Sequence, residues 1–472
     1  MTDHLANINK LMLGAGFSPP QEIRELPSAG SGRLYYRIVL QKEETILAAF
    51  NRDIEENKAW QSYTIHFQKL GFRVPKIIAA DQTRTYFLLQ DLGDEQLLNL
   101  LLEKGEKNVK QYYRQVIEDL FRFQTQGVKG IDFSVAYPTR QFDARSVMWD
   151  LNYFKYYFAK THSVIFNEND LEEDFQRFTN DLLKSRSDYF MYRDFQARNI
   201  MIYKGEPWYI DFQGGRKGPL QYDLVSLLYQ AKANLSEEFR NELYELYLSQ
   251  LQKTKPEEVP GFKKSFPLFV MFRIMQVLGA YGFRGIIQRK GHFLSSIPYA
   301  TRNIRSLLDG HFRGTYPELS KVLENISEIE KYNGIGDPSE KLTVEINSFS
   351  YKKNGCPLDL TENGGGFVFD CRSLPNPGRI ATLRDYTGKQ EPVIEYLEGK
   401  TEMKAFLESV SRIVYQSIDN YLDRGFTHLQ VNFGCTGGKH RSVFSAEKLR
   451  SLLESEYNGK IKVILKHTML ND

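Results

Sequence analysis

Three residues near the middle of the chain have the types and the spacing for phosphoryl-transfer chemistry. They lie in MYRDFQARNIMIYKGEPWYIDFQGG, residues 191–215: Asp194, then Asn199 after four intervening residues, then Asp211. Moving a phosphoryl group needs a carboxylate beside the acceptor hydroxyl and oxygen ligands for a divalent cation, because catalysis there is mainly positioning and charge neutralisation. Asp194 is the candidate carboxylate that orients or deprotonates the acceptor, and Asn199 and Asp211 are candidate ligands of Mg²⁺. Ordinary turn polars around a surface hairpin also produce an Asp-x₄-Asn pair. The Asp-Phe pair that closes the apolar run at Asp211-Phe212 adds to the first reading.

A β-hairpin would bring these residues together. Ile200–Tyr203 and Trp208–Ile210 are β-favouring runs, with a turn around Lys204–Pro207. Pairing Met201 with Tyr209 predicts Asn199 opposite Asp211, with their Cβ atoms about 5 Å apart. Upstream, the turn SAGSGR (28–33) leads into two strand-like runs, LYYRIVL and TILAAF. A helix is expected from near Asp53 to a C′ glycine at Gly71, followed by strands in PKIIAA and TYFLLQ. From Glu95 the pattern turns helical, interrupted by a short β section between about 189 and 211. Strands with one helix, then a mostly helical lobe with an inserted hairpin, predict an α+β bilobal kinase-like domain. Its N-lobe would span 1–93 and its C-lobe 94–325. A linker is expected at 326–340, where SEIEKYNGIGDPSE collects turn formers. Residues 341–472 alternate strand and helix patterns and predict a small α/β domain.

Composition sets outer bounds. At 472 residues the chain is longer than one core usually supports. Its 41% hydrophobic and 26% charged residues are ordinary for a soluble protein, so cores can form without staples. A net charge of +3 does not by itself indicate nucleic acid or a membrane surface as partner. Cys356, Cys371 and Cys435 are an odd, sparse set, which argues against a disulfide framework. MTDHLANINK lacks the apolar core of a signal peptide. Arg273 and Gln276 break the most apolar stretch, FPLFVMFRIMQVLGAYGF, so a buried helix is expected there rather than a membrane span. A reducing, cytoplasmic location follows.

YRDFQARNIM…WYIDFQGGRKGPLQYDLVSLL resembles the aminoglycoside phosphotransferase-like kinases. It is most similar to their amino-sugar branch, the anomeric N-acetylmuramate and N-acetylglucosamine kinases. FLLQDLGDEQL (87–97) and RIMQVLGAYGFR (273–284) carry the same likeness, which covers roughly residues 15–310. The resemblance implies ATP and Mg²⁺ as cofactors and a sugar alcohol group as phosphate acceptor. It implies an adenine hinge at Gln90, Asp91 and Leu92, up to Gly93. It also implies a phosphate-covering loop at Ala29–Arg33, with Gly30, Ser31, Gly32 and Arg33 near the phosphates. A plain hairpin turn would use the same glycines. Asp223 is implied as a brace for the catalytic segment. Two departures stand out: Tyr192 occupies the place of the motif's His, and TILAAF lacks the lysine that kinases usually aim at the phosphates. Glu55 or Glu56, on the helix that follows, could serve a different purpose, and as exposed helix residues they need none.

A second stretch, VNFGCTGGKHRSVFSAEKL (431–449), combines a strand end, a Gly-rich loop and a helix start. Backbone N–H groups at such a turn form an anion site, and Lys439, His440 and Arg441 add charge. Cys435 and Arg441 also fit the Cys-x₅-Arg-Ser spacing of tyrosine phosphatase loops, where the cysteine is a nucleophile, although Gly434 stands where the usual His would be. With SFSYKKNGCPLDL, FVFDCRSLPNPG and LRDYTGKQEPVIEYL, the loop resembles the C-terminal domain of the RapZ family over nearly all of 341–468. That likeness implies binding of a phosphorylated amino sugar, glucosamine-6-phosphate. Its ligand candidates are Asp370, Arg372, Thr387, Gly388, Cys435, Thr436, Gly437, Gly438, His440 and Arg441. Asp370 and Arg372 would equally make a structural ion pair. Small RNA and self-association are implied as well, but the sequence ends HTMLND without the family's basic tail, and Lys460, Lys462, Lys466 and His467 leave a modest patch. Both halves point to amino-sugar chemistry: a kinase for such a sugar, with a C-terminal domain that senses its phosphorylated form. The alternative is an RNA-binding adapter whose kinase fold holds nucleotide without turnover.

Overall fold

The computed structural model describes residues 2–27, 32–41, 44–288, 293, 296–305, 307–308, 310–329, 341–359, 365–423 and 426–470. The chain divides into two compact units, Met1–Ala280 with Tyr299–Ile329 and Tyr281–Pro298 with Glu330–Asp472.

The first unit opens with helix α1 (Thr2–Gly14) packed on an antiparallel sheet. Its strands are β1 (Glu22–Glu25), β2 (Leu34–Val39), β3 (Thr45–Phe50), β4 (Ile77–Ala80) and β5 (Tyr86–Gln90), in the order β1-β2-β3-β5-β4. Strand side chains alternate between faces, and here the alternation separates core from cavity. Tyr36, Ile38, Ile46, Ala48 and Leu88 are buried with Ile8 and Met12 of α1. Tyr35, Arg37, Leu47 and Ala49 point the other way and line a cavity of about 350 Å³. Helix α2 (Ile54–Lys69) joins β3 to β4. The Asp53 carboxylate accepts the Glu56 N–H at 3.1 Å as its N-cap, and Gly71 follows the last turn with φ 74°.

The helical part includes α3 (Glu106–Thr125), α4 (Ala144–Phe154), α5 (Leu220–Leu228) and α6 (Val259–Tyr281). Two short ladders are inserted in it: β6 (Tyr189–Met191) with β9 (Arg216–Gly218), and β7 (Ile200–Tyr203) with β8 (Glu206–Tyr209). The β7–β8 hairpin corrects the expected register by one residue. Ile200 faces Tyr209 and Met201 faces Trp208. The turn is the reason. Lys204 and Gly205 both have positive φ, 53° and 77°, the signature of a two-residue type I′ loop whose twist matches its strands. Pro207 therefore lies inside β8 rather than in the turn.

Aromatic packing joins these pieces. Phe123 of α3 is fully buried. It stacks on Phe72 at 4.1 Å and meets Phe67, Tyr209 and Tyr192 edge-on at 5.0, 5.1 and 5.8 Å. Tyr63 of α2 donates its hydroxyl to the Gly215 carbonyl at 2.9 Å, tying the sheet lobe to the helical lobe. The stretch Pro256–Ile287 is long and apolar enough to cross a membrane by length and composition, yet 61% of its most apolar window is buried inside the protein.

In the second unit β10 (Thr343–Ser350), β11 (Gly366–Asp370), β12 (His428–Cys435) and β13 (Lys462–His467) form a parallel sheet in the order β11-β12-β10-β13. β12 is buried along its whole length, as befits a strand inside a parallel sheet. Helices α7 (Glu391–Glu398), α8 (Thr401–Asp423) and α9 (Arg441–Glu456) complete the core, with Val414, Ile418, Leu449 and Leu453 against Val344, Ile346, Val431 and Phe433. Register places Ser350 beside Cys435 and Asp370 beside Gly434. These are carboxyl ends of adjacent parallel strands, the edge at which open α/β sheets bind ligands.

Phe123→Ala removes the ring on which α2, α3 and the hairpin converge. The expected cost is about 3–5 kcal/mol, read as a lowered urea midpoint for the first unit. A loss under about 1 kcal/mol would contradict this account of the core.

Candidate functional site

The turn that carries Asp194 hangs on one buried carboxyl group. Asp223 of α5 is fully buried, and its two carboxylate oxygens accept the Tyr192 and Arg193 N–H groups at 2.7 and 2.8 Å. Burial pushes the Asp223 carboxyl up to about 7, against the two N–H groups that pull it down. Arg193 has φ 80°, a left-handed conformation that costs a non-glycine residue about 1–2 kcal/mol. The two bonds hold it there. Tyr192, at the motif's histidine position, donates its hydroxyl to the Ile210 carbonyl at 2.6 Å. Its ring packs among Phe123, Phe195 and Phe212. The turn before Asp194 is thereby fastened to the strand end that leads into Asp211.

The structure brings Asp194, Asn199 and Asp211 together. Asn199 Nδ2 donates to the Asp194 carbonyl at 2.9 Å and to Asp211 Oδ2 at 3.2 Å. In the observed register it is Ile210 whose N–H bonds the Asn199 carbonyl, at 3.1 Å. Asp211 itself has φ 72°, and this left-handed step returns its carboxylate to Asn199. Gln213, for which the sequence suggested no role, donates to Asp211 Oδ1 at 2.7 Å. With Nδ2 engaged, Asn199 keeps Oδ1 as an acceptor. An amide oxygen beside a carboxylate is an all-oxygen donor set that fits Mg²⁺, which takes few protein ligands and fills its shell with water and phosphate oxygens.

Around Asp194 lies a network that sequence reasoning missed. Its side chain is 42% exposed and receives Arg273 Nη2 of α6 at 3.3 Å. Arg273, itself 5% exposed, also donates to the Tyr222 hydroxyl at 2.9 Å and to Gln276 Oε1. Gln276 Nε2 in turn donates to Asp150 Oδ2 of α4 at 2.8 Å, and Arg193 reaches the same oxygen at 3.5 Å. Burial raises the Asp194 carboxyl, but the Arg273, Arg198 and Arg193 guanidiniums outweigh it and hold the group below its ordinary value. A signal was present: Arg273 and Gln276 interrupt an apolar run, which marks them as partners of something polar.

The cavity on the open face of the sheet reaches from Arg33, Leu47 and Ala49 to Gln90, Leu92 and Asp211. Gly30 and Ser31 lie outside the described residues. Gly32 is exposed, and Arg33 lies at the cavity wall. Asp91 faces elsewhere. Its carboxylate takes Arg37 Nε at 2.7 Å and the Gly93 N–H at 2.9 Å, so its side chain shapes the hinge. Glu56 corrects the reading of an idle exposed residue: Oε1 lies 2.9 Å from Arg33 Nη2, and Oε2 accepts from Asn51 at 2.8 Å. Glu55 pairs with Lys58, at the surface.

At the carboxyl edge of the second sheet, Cys435, Thr436, Gly437, Gly438 and His440 curl ahead of α9. The Cys435 sulfur receives the Gly438 N–H and lies against the Ser442 hydroxyl, both at 3.2 Å. Burial raises this thiol, but the Ser442 hydroxyl, the Ser442 and Gly438 N–H groups and the Arg441 charge prevail and lower it. Gly388 donates its N–H to the Lys439 carbonyl at 2.9 Å, and a Cβ there would stand 2.3 Å from the His440 carbonyl oxygen. Only glycine allows that approach, which sets Thr387 beside the loop. Arg441 departs from expectation: it is buried, and Nη1 donates to the Arg372 and Leu374 carbonyls at 2.8 and 3.0 Å. Asp370 and Arg372 form a half-exposed ion pair at 2.7 Å.

Residues 22–261, just over half of the chain, match the phosphotransferase enzyme family. The chain belongs to that family. Residues 342–471 match the RapZ C-terminal domain. A nucleotide-binding protein of Thermosipho africanus is 38% identical over 133 residues, 28% of this chain and 44% of that protein. Its counterpart in Thermosipho melanesiensis is 41% identical over 157 residues, 32% of this chain and 53% of that one. The chain spans about half the length of the curated relatives it matches. Among solved structures, an ethanolamine kinase of Plasmodium vivax aligns with TM-score 0.45 at 11% identity, over 62% of this chain and 84% of its own. As a member of that family, the chain carries a kinase-like fold in the first unit and the RapZ C-terminal domain's parallel sheet in the second.

Arg273→Gln takes a positive charge from beside Asp194 and destabilises the carboxylate. The Asp194 pKa then rises, so a higher pH is needed to ionise it. The acid limb of the kcat/KM profile is expected to move to higher pH. A limb that stays in place would remove Arg273 as the group that keeps Asp194 ionised.

Proposed function

We propose that this phosphotransferase is an ATP-dependent amino-sugar kinase of the cytoplasm, and that its C-terminal domain binds a phosphorylated amino sugar and regulates it. The observation that carries the acceptor class is the contact of Arg273 with Asp194. A pocket for a polycationic acceptor would surround its base with uncompensated carboxylates. Here Asp194 and Asp150 are each met by a guanidinium, from Arg273 and Arg193. Such surroundings favour an acceptor that is neutral or anionic and rich in hydroxyls, as N-acetylated sugars are.

In this reading Asp194 orients the attacking hydroxyl and receives its proton, with Arg273 keeping the carboxylate ionised. Asn199 and Asp211 supply oxygen ligands to Mg²⁺, which when bound neutralises charge on the nucleotide phosphates. The cavity beneath β2, β3 and β5 takes ATP, with the Gln90–Gly93 backbone at the base and Arg33 at the phosphates. In the C-terminal domain, the Gly-rich turn before α9 receives the sugar phosphate, and Thr387 and Gly388 flank it.

The test is ³¹P NMR of the full chain with ATP, Mg²⁺ and a panel of free and N-acetylated amino sugars. A new sugar-phosphate signal is expected with N-acetylated acceptors. Asp194→Asn should lower kcat by about 10²–10⁴-fold while ATP still binds. Preference for cationic free amines would overturn the charge argument, and ATP binding without turnover would favour an adapter. For the second domain, glucosamine-6-phosphate is expected to change the rate, and His440→Ala to weaken that response. Equal rates with and without saturating effector would refute regulation.

A further inference from the structure

Kinase phosphate sites commonly pair a lysine on the third strand of the small lobe with a glutamate on the neighbouring helix. Here β3 reads TILAAF, and its cavity-facing residues include Leu47 and Ala49, neither of which carries charge. The glutamate is nevertheless in place and paired. Glu56 of α2 lies 2.9 Å from Arg33 Nη2, while Arg33 Nη1 lies 3.6 Å from Asp211 Oδ1. The Arg33 side chain is only 10% exposed and stands in the cavity wall.

The sheet register shows how this arises. Leu34 pairs with Phe50 and Tyr35 with Ala49, so Arg33 enters from the neighbouring strand, just beyond the end of that ladder. We propose that Arg33 is the phosphate-binding cation that β3 lacks, aimed by Glu56 and Asp211: the strand–helix ion pair of kinases, moved over by one strand. The inference rests on the nucleotide reading given above.

Arginine suits this position for a physical reason. A guanidinium carries five N–H donors in a rigid fork. Contacts with Glu56 and Asp211 engage part of that fork, and the remaining donors can meet phosphate oxygens in charge-assisted bonds. An ammonium has three donors around one point and could not span both carboxylates while presenting a face to phosphate. Arg33 thus joins the cation-ligating carboxylate, the helix glutamate and the nucleotide tail through one side chain.

Calorimetric binding of ATP and of adenosine to the full chain tests this without turnover. Arg33→Met is expected to weaken ATP by about tenfold or more while leaving adenosine unchanged, because only ATP carries phosphates. Arg33→Met combined with Ala49→Lys is expected to regain preference for ATP over adenosine. An unchanged ATP-to-adenosine ratio in Arg33→Met would overturn the proposal. So would failure of the double variant to recover that ratio while its circular dichroism matches wild type. A wild-type chain that binds neither molecule would sink the nucleotide reading itself, and this inference with it.

Discussion

Asp223 is fully buried inside the helical lobe, and its carboxylate is satisfied by two successive backbone N–H groups, those of Tyr192 and Arg193. Burying a carboxylate is costly unless such donors meet it, and the rise of its pKa to about 7 records that cost. In return the anion fixes a turn that would otherwise relax, because Arg193 is left-handed. Asp194 follows directly, and its carbonyl is what Asn199 Nδ2 holds at 2.9 Å. One buried charge therefore sets the directions of the candidate base and of one candidate cation ligand. Loops carry function best when a rigid scaffold dictates their conformation, and α5 is that scaffold here.

Strain recurs at the other carboxylate. Asp211 is left-handed as well, and three neighbours converge on its two oxygens: Asn199, Gln213 and the Arg33 guanidinium. Strained backbone of this kind persists only where its surroundings over-determine it. The Tyr192 hydroxyl on the Ile210 carbonyl couples the two strained points, so neither relaxes alone. A tyrosine in the place of histidine keeps the tether by reaching with a hydroxyl, and its larger ring is absorbed by three phenylalanines.

Much of this site was legible in the sequence, for reasons that differ by residue. The spacing of Asp194 and Asn199 is local and survives any error in strand pairing. The meeting of Asn199 with Asp211 was inferred from a register one residue out, because a lysine at positive φ gives little warning of a two-residue turn. The left-handed step at Asp211 supplies the compensating shift, so the two side chains meet by another route. The Asp53 cap and the Gly71 terminus of α2 were legible because caps are read from single residues. Glu56 was not, because its partner comes from a different strand and only the folded sheet brings them together. Arg273 and Gln276 were visible as breaks in an apolar helix, but their partners Asp194 and Asp150 lie far away in sequence. The Asp91 side chain is held by Arg37, a partner that lies far away in sequence.

The second domain shows how one spacing can serve two chemistries. Cys435 and Arg441 have the separation of a phosphatase loop, and the lowered thiol fits that pattern. Cleavage would also need the arginine to wrap the phosphate and a positioned acid to protonate the leaving group. Arg441 instead points inward and clasps the Arg372 and Leu374 carbonyls, fastening the segment after β11 to the start of α9. Lys439 donates to the Asp385 carbonyl at 2.8 Å, and the His440 Nε2 lies 3.2 Å from the Arg384 carbonyl oxygen. The charged groups of the turn are thus engaged in bracing neighbouring loops. A turn built this way is poorly suited to breaking a phosphate ester, because the arginine that cleavage needs is already part of the frame.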